Sequence, residues 1–78
     1  MKSFNVMLSS INDVKYFVNA AVSQTCDIDI VSGRYIIDAK SIMGIFSLDL
    51  SKSITIEVQG KDADYDKFYE AVKQFVVK

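Results

Sequence analysis

The sequence predicts an α/β (α+β) fold, an open-faced sandwich with the element order β-α-β-β-α-β-α. Its four-stranded antiparallel sheet carries the helices packed on one face. Three observations lead there. Residues 3–8, 27–31, 34–38 and 54–59 alternate apolar and polar side chains with the period of a strand. Two longer segments place apolar residues at the i, i+3, i+4, i+7 spacing of a helix with one buried stripe. Because each long helix has a single apolar face, both pack on one side of the sheet and leave the other side wet.

Taken in order, Phe4, Val6 and Leu8 alternate with Ser3, Asn5 and Met7 as the first strand, which Ser9-Ser10 interrupts. Ser10, with Asp13 three positions on, makes a start resembling a capping box. Val14, Phe17, Val18, Ala21 and Val22 form the buried stripe of the first helix, which ends near Ser23-Gln24. Ile28 and Ile30 point inward from the second strand. Ser32-Gly33 is a turn signal, and Arg34 to Asp38 returns as the third strand with Tyr35 and Ile37 on one face. A short helix over 41–48 follows, broken by Ser51-Lys52-Ser53. Ile54, Ile56 and Val58 alternate as the last strand. After a turn at Gly60-Lys61, Asp62 is the expected N-cap of a helix whose stripe is Phe68, Ala71, Val72, Phe75 and Val76. Asp64 and Asp66 place negative charge in its first turn, and Lys73 and Lys78 place positive charge near its end.

The 78 residues make one domain, 1–78, with no repeat or linker. Half the residues are hydrophobic and the net charge is −1, so disorder is excluded. The nine basic residues are scattered, which argues against nucleic-acid binding. No apolar run approaches the ~20 residues that span a bilayer, and no signal peptide opens the chain, so no membrane partner is expected. Cys26 stands alone, which excludes an internal disulfide or thiol metal cluster and fits a cytoplasmic protein. Asp27 and Asp29 fall on the wet face as solvated charges, and no cofactor is implied. No nucleophile–base pair, metal set or phosphate loop is visible, so the chain is not expected to be an enzyme.

The densest apolar stretch is Ala39-Lys40-Ser41-Ile42-Met43-Gly44-Ile45-Phe46-Ser47-Leu48-Asp49-Leu50. Ser41 is placed to cap the short helix. Ile45 and Leu48 share one face of it, and Met43 and Phe46 form a second apolar pair off that face. Ile42 shares the spacing of Ile45, so periodicity leaves its side open. Exposed apolar residues mark partner sites, and methionine suits adaptable surfaces.

This stretch, with the element order and length, resembles HPr, the histidine-containing phosphocarrier family of the bacterial sugar phosphotransferase system. Lys40-Ser41-Ile42-Met43-Gly44 and Ser47-Leu48 match the segment of low-GC Gram-positive members, and Phe17-Val18 matches a pair in the first helix. The resemblance implies that Ser41 is a regulatory phosphorylation site for HPr kinase. It also implies that Ile42, Met43 and Phe46 form a docking surface. The family's phosphorylatable histidine falls at Ser10, and its arginine and proline fall at Asn12 and Asp13. None of the three is present, and the chain contains no histidine at all. The expectation is therefore a regulatory or adaptor protein that binds partners through the 41–48 helix, under control of Ser41 phosphorylation. HPr kinase, a transcriptional regulator or phosphotransferase-system components are the implied protein partners, with a homodimer as a further one. The alternative is an interaction or self-association module of the same fold, unrelated to sugar transport.

Overall fold

A computed structural model describes residues 2–77, so Lys78, expected to place charge at the end of the last helix, lies outside the described residues. The chain runs β1 (Lys2–Val6), α1 (Ile11–Val22), β2 (Ile28–Ser32), β3 (Tyr35–Asp38), α2 (Ile42–Phe46), β4 (Ile54–Val58), α3 (Asp62–Val72), a 3-10 turn (Lys73–Phe75) and β5 (Val76–Val77). The sheet order is β3-β2-β4-β1-β5, and every neighbouring pair is antiparallel. Two antiparallel steps restore direction, so β1 and β2 run parallel with β4 between them. The same holds for β3 and β4 across β2, and for β4 and β5 across β1. A parallel connection has to cross over the sheet, and a helix is its usual carrier. Each of α1, α2 and α3 is such a crossover.

The core lies between the sheet and these helices. Ile28, Ile30, Ile54, Ile56 and Val58 supply the sheet's inner face. Val14, Phe17 and Ala21 from α1, Ile45 from α2, and Phe68 and Val72 from α3 close it. Phe17 and Phe68 meet edge-to-face with centroids 5.5 Å apart, a geometry worth about 0.5–1.5 kcal/mol beyond the area it buries. Phe4, half-buried, packs edge-to-face with Tyr65 and Tyr69, with centroids 5.6 and 5.2 Å apart. This aromatic group ties α3 to β1. On the opposite face Thr55 donates to Asn5 at 2.8 Å and Gln59 donates to Asp29 at 3.1 Å, a wet surface held by polar cross-strand pairs.

Several expectations are corrected. The sheet has five strands rather than four, because the last helix stops at Val72 and Val76 pairs with Val6 in β5 instead of continuing the helical stripe. Two residues are too short for alternation to register, and the bond from Met7 N–H to the Phe75 carbonyl that steers the chain there is long-range. The N-cap of α3 is Lys61, not Asp62. Its ammonium has no lone pair to offer, so only half a capping box forms: Asp64 accepts the Lys61 N–H at 3.0 Å. Val22 is exposed because it ends α1. Tyr35 and Ile37 do share a face, opposite Ser32 and Ile30, and Tyr35 is exposed where it begins an edge strand just past the hairpin turn, in which Gly33 has φ +59° at the first of the two turn positions, as a type II′ turn requires.

Because Phe17 and Ile45 are wholly buried, truncation leaves cavities with no solvent to fill them. Phe17→Ala and Ile45→Ala should each lower the unfolding free energy by about 2–5 kcal/mol, read by urea denaturation.

Candidate functional site

Two helix starts carry the residues singled out from sequence. At the first, Ser10 takes extended backbone angles and its hydroxyl accepts the Asp13 N–H at 3.1 Å. The Asp13 carboxylate turns back one residue further than a capping box requires. It accepts from both the N–H and the hydroxyl of Ser9, at 3.1 and 3.0 Å. The backbone N–H of Ser9, then its hydroxyl, hold the Asp13 carboxyl below the usual carboxylate range, because hydrogen bonds to the charged form favour it. A carboxylate of the chain itself thus occupies the mouth of α1. Sequence spacing identified Ser10 and Asp13 but not Ser9, because a side chain one methylene shorter than glutamate gave no indication of which N–H it would reach.

At the second start, Ser41 caps α2. Its hydroxyl accepts the Gly44 N–H at 3.2 Å, its carbonyl accepts the Ile45 N–H at 3.1 Å, and its own N–H donates to the Asp38 carbonyl at 2.9 Å. Ser41 is exposed. Lys40 just before it donates from Nζ to the Gln24 carbonyl at 3.3 Å, pinning this corner to the end of α1, where the helix dipole favours a cation. Gly44 lets α2 sit close on β3. A Cβ there would lie 2.7 Å from the Ile37 Cγ2 and 3.1 Å from the Ser41 Oγ. Any larger residue would push α2 off the strand or displace the capping hydroxyl. At the other end the Ser47 hydroxyl donates to the Gly44 carbonyl at 2.6 Å.

The helix is shorter than the predicted 41–48, and its faces divide. Ile45 is wholly buried, and Ile42 is half-buried against the core together with Leu48. Met43 is 76% exposed and Phe46 41%. Of the three apolar residues assigned to docking, two therefore face outward and Ile42 is shared with the core. Ser10 and Ser41 sit on separate helix starts. Sequence reading missed Ile11, which is 62% exposed although it lies three residues before Val14 on the extended stripe of α1. As the first helical residue it projects past the sheet. Among the described residues no group of three His, Cys, Asp or Glu side chains could hold a metal ion, and no helix is long and apolar enough to cross a membrane.

Comparison with known proteins bears on this geometry. The family model described as the PTS HPr component phosphorylation site matches residues 13–78, a stretch that begins beyond Ser10. The crystal structure of a phosphocarrier protein HPr from Bacillus anthracis str. Ames is similar at 30% identity. That match covers 97% of this chain and 96% of that one, with a TM-score of 0.72. HPr-C-His from Thermoanaerobacter tengcongensis shares the fold at 22% identity, over 95% of this chain and 93% of that one, with a TM-score of 0.75. The histidine-containing phosphocarrier protein of a Mycoplasma does so at 22% identity, over 94% and 89%, with a TM-score of 0.74. No curated protein gives a match.

The position of Asp13 has a measurable consequence. Its carboxyl is lowered in the folded chain, so its stabilisation is complete above the unfolded value of about 3.9 and is lost as pH falls through the lower folded value. Asp13→Asn should remove that dependence, so stability followed by denaturant midpoint between neutral and acid pH should fall less steeply for the variant than for the natural chain.

Proposed function

The chain belongs to the HPr family of the bacterial sugar phosphotransferase system, and on that premise we propose that it is a regulatory adaptor rather than a phosphoryl carrier. The supporting observation is the division of α2, which buries Ile45 and leaves Met43 standing in solvent. A buried anchor fixes the helix, so the outer apolar face is presented in one geometry, as a docking surface needs. Phosphoryl transfer through histidine requires an imidazole nitrogen as the nucleophile, and this sequence has none. At Ser10, where the family's histidine falls, the hydroxyl is engaged in capping, and the Asp13 carboxylate beside it would repel an incoming phosphoryl group. The protein acts by binding in the cytoplasm and not by catalysis. Its partners are HPr kinase, a transcriptional regulator or components of the phosphotransferase system.

Ser41 is the regulatory site of this reading. Its hydroxyl is exposed and its Oγ already receives one backbone N–H. A phosphate there would bring about −1.5 to −2 charges at pH 7 next to the Met43 surface. That charge would reset which partner docks without disturbing Ile45 beneath. Ile42 would contribute only its outer edge to the contact.

The test is phosphorylation read by intact mass. A Gram-positive HPr kinase with ATP should add one phosphate to the chain and none to Ser41→Ala. Enzyme I with phosphoenolpyruvate should add no acid-labile phosphate. Efficient histidine-type transfer, or kinase modification that persists in Ser41→Ala, would refute the assignment.

Substitutions on α2 separate docking from packing. Met43→Ala should change stability by no more than about 0.5 kcal/mol, as exposed positions do. Phe46→Ala should cost about 1–2 kcal/mol, because more than half of its side chain is covered. Both should weaken binding to a phosphotransferase partner, measured by titration calorimetry, far more than their stability changes explain.

A further inference from the structure

The outer edge of the sheet at β3 carries a second surface, separate from the outer face of α2. Among the described residues no strand lies beyond β3, yet Tyr35 and Ile36 there are 69% and 71% exposed. Edge strands with apolar side chains and free backbone groups are templates for pairing with another chain.

The ladder fixes which groups are free. β2 and β3 pair Ser32 with Tyr35, Val31 with Ile36, Ile30 with Ile37 and Asp29 with Asp38. The next position inward along this register is bonded, because the Ala39 N–H donates to the Ile28 carbonyl at 2.9 Å. Antiparallel pairs alternate between bonded and non-bonded. Residues 35, 37 and 39 therefore direct their N–H and C=O to β2, while those of Ile36 and Asp38 point outward. The Asp38 carbonyl takes the Ser41 N–H, which leaves its N–H and both groups of Ile36 available.

The side chains are self-complementary about the same point. From 34 to 38 the chain reads Arg-Tyr-Ile-Ile-Asp. An antiparallel copy with its two-fold axis at Ile36 sets Ile36 against Ile36, Tyr35 against Ile37 and Arg34 against Asp38. This register is compatible with the free backbone groups, since it makes Ile36 a bonded pair with itself and aims each Asp38 N–H at the opposing Arg34 carbonyl. Side chains 36 and 38 share the wet face and Arg34 is exposed in the turn just before the strand, so the Ile36 contact would be flanked by two Arg34–Asp38 ion pairs. Among the described residues, neither partner of that pair is engaged in a salt bridge within the chain. An axis moved by one residue, to Ile37, keeps a bonded Ile36–Asp38 pair but sets Arg34 against Lys40, so the charge match is what selects the axis at Ile36.

We propose that β3 is a homodimerisation edge, at which a second copy of this chain pairs antiparallel through Ile36 and the sheet continues across the two-fold axis. The proposal does not depend on Ser41 or on the α2 docking surface.

The experiment is sedimentation equilibrium at chain concentrations up to about 1 mM, the range that a small interface calls for. The natural chain should form a reversible dimer. Ile36→Lys puts two like charges on the axis at an exposed site and should abolish it. Arg34→Glu should weaken it at least tenfold, because a carboxylate at that position faces the Asp38 carboxylate of the other copy, and R34E/D38K should restore it. A chain that stays monomeric throughout, a dimer that survives Ile36→Lys, or one dissociated by Met43→Ala instead would overturn the proposal. Asp38 also accepts the Lys40 N–H at 2.9 Å, so the double variant risks a local change at that corner. Should it fail to recover, amide exchange at Ile36 in the natural chain decides: protection that rises with concentration upholds the pairing, and protection independent of concentration overturns it.

Discussion

The insertion of β4 between β1 and β2 is the constraint from which the rest of this molecule follows. Val58 is paired on both sides, with Lys2 in β1 and with Ile28 in β2, and Ile56 is likewise flanked by Phe4 and Ile30. A strand bonded on both edges lies inside the sheet, and its inward apolar side chains Ile54, Ile56 and Val58 need a cover that the sheet itself does not provide. That covering is supplied by helices, and their placement is forced. With β4 in the middle, each of the three helix-bearing connections joins parallel strands and has to pass over the same face.

α2 shows what that requirement covers and what it leaves exposed. The chain has to travel from the edge strand β3, over β2, to the centre of the sheet. The side of the crossing that meets the core is met by Ile45, with help from Ile42 and Leu48. The side that faces away has no element above it, and there Met43 stands exposed. Gly44 allows the crossing to lie close on Ile37, which keeps the outer face at a defined height above the sheet. Ile45 fixes the helix from beneath, and Met43 and Phe46 on its outer side stay exposed.

The start of α1 shows the opposite use of the same device. A helix start gathers unpaired N–H groups and partial positive charge, the setting in which anions are held. Here Asp13 contributes an anion from within the chain, held by the hydroxyl and N–H of Ser9 just before the helix. The carboxylate lies beside the helix start, so an external phosphate there would meet a negative charge of the chain itself. The outer edge of β3 is different again. Its outward backbone groups, apart from the Asp38 carbonyl, have no partner among the described residues because the sheet ends there, and the proposed pairing would answer them with an inverted copy of the same strand.

The sequence alone determined the inner surface of this protein. Alternation named Ile28, Ile30, Ile54, Ile56 and Val58, and helical spacing named Val14, Phe17, Val18, Ala21, Phe68 and Val72, all of which are buried. Burial of one face repeats with the local period of each element, so it is written in neighbouring residues. The capping roles of Ser10 and Ser41 were legible for the same reason, since each hydroxyl reaches an N–H only three residues away. What the tertiary structure decided were the ends and the edges. Val22 and Ile11 carry the helical pattern but lie at helix ends where the sheet no longer covers them, and Tyr35 follows the strand pattern but begins an edge strand. The two residues of β5 are a strand only because β1 offers them an open side. Exposure at such places depends on which elements stop and which continue beside them, and that is settled by contacts between distant parts of the chain, which no local period records.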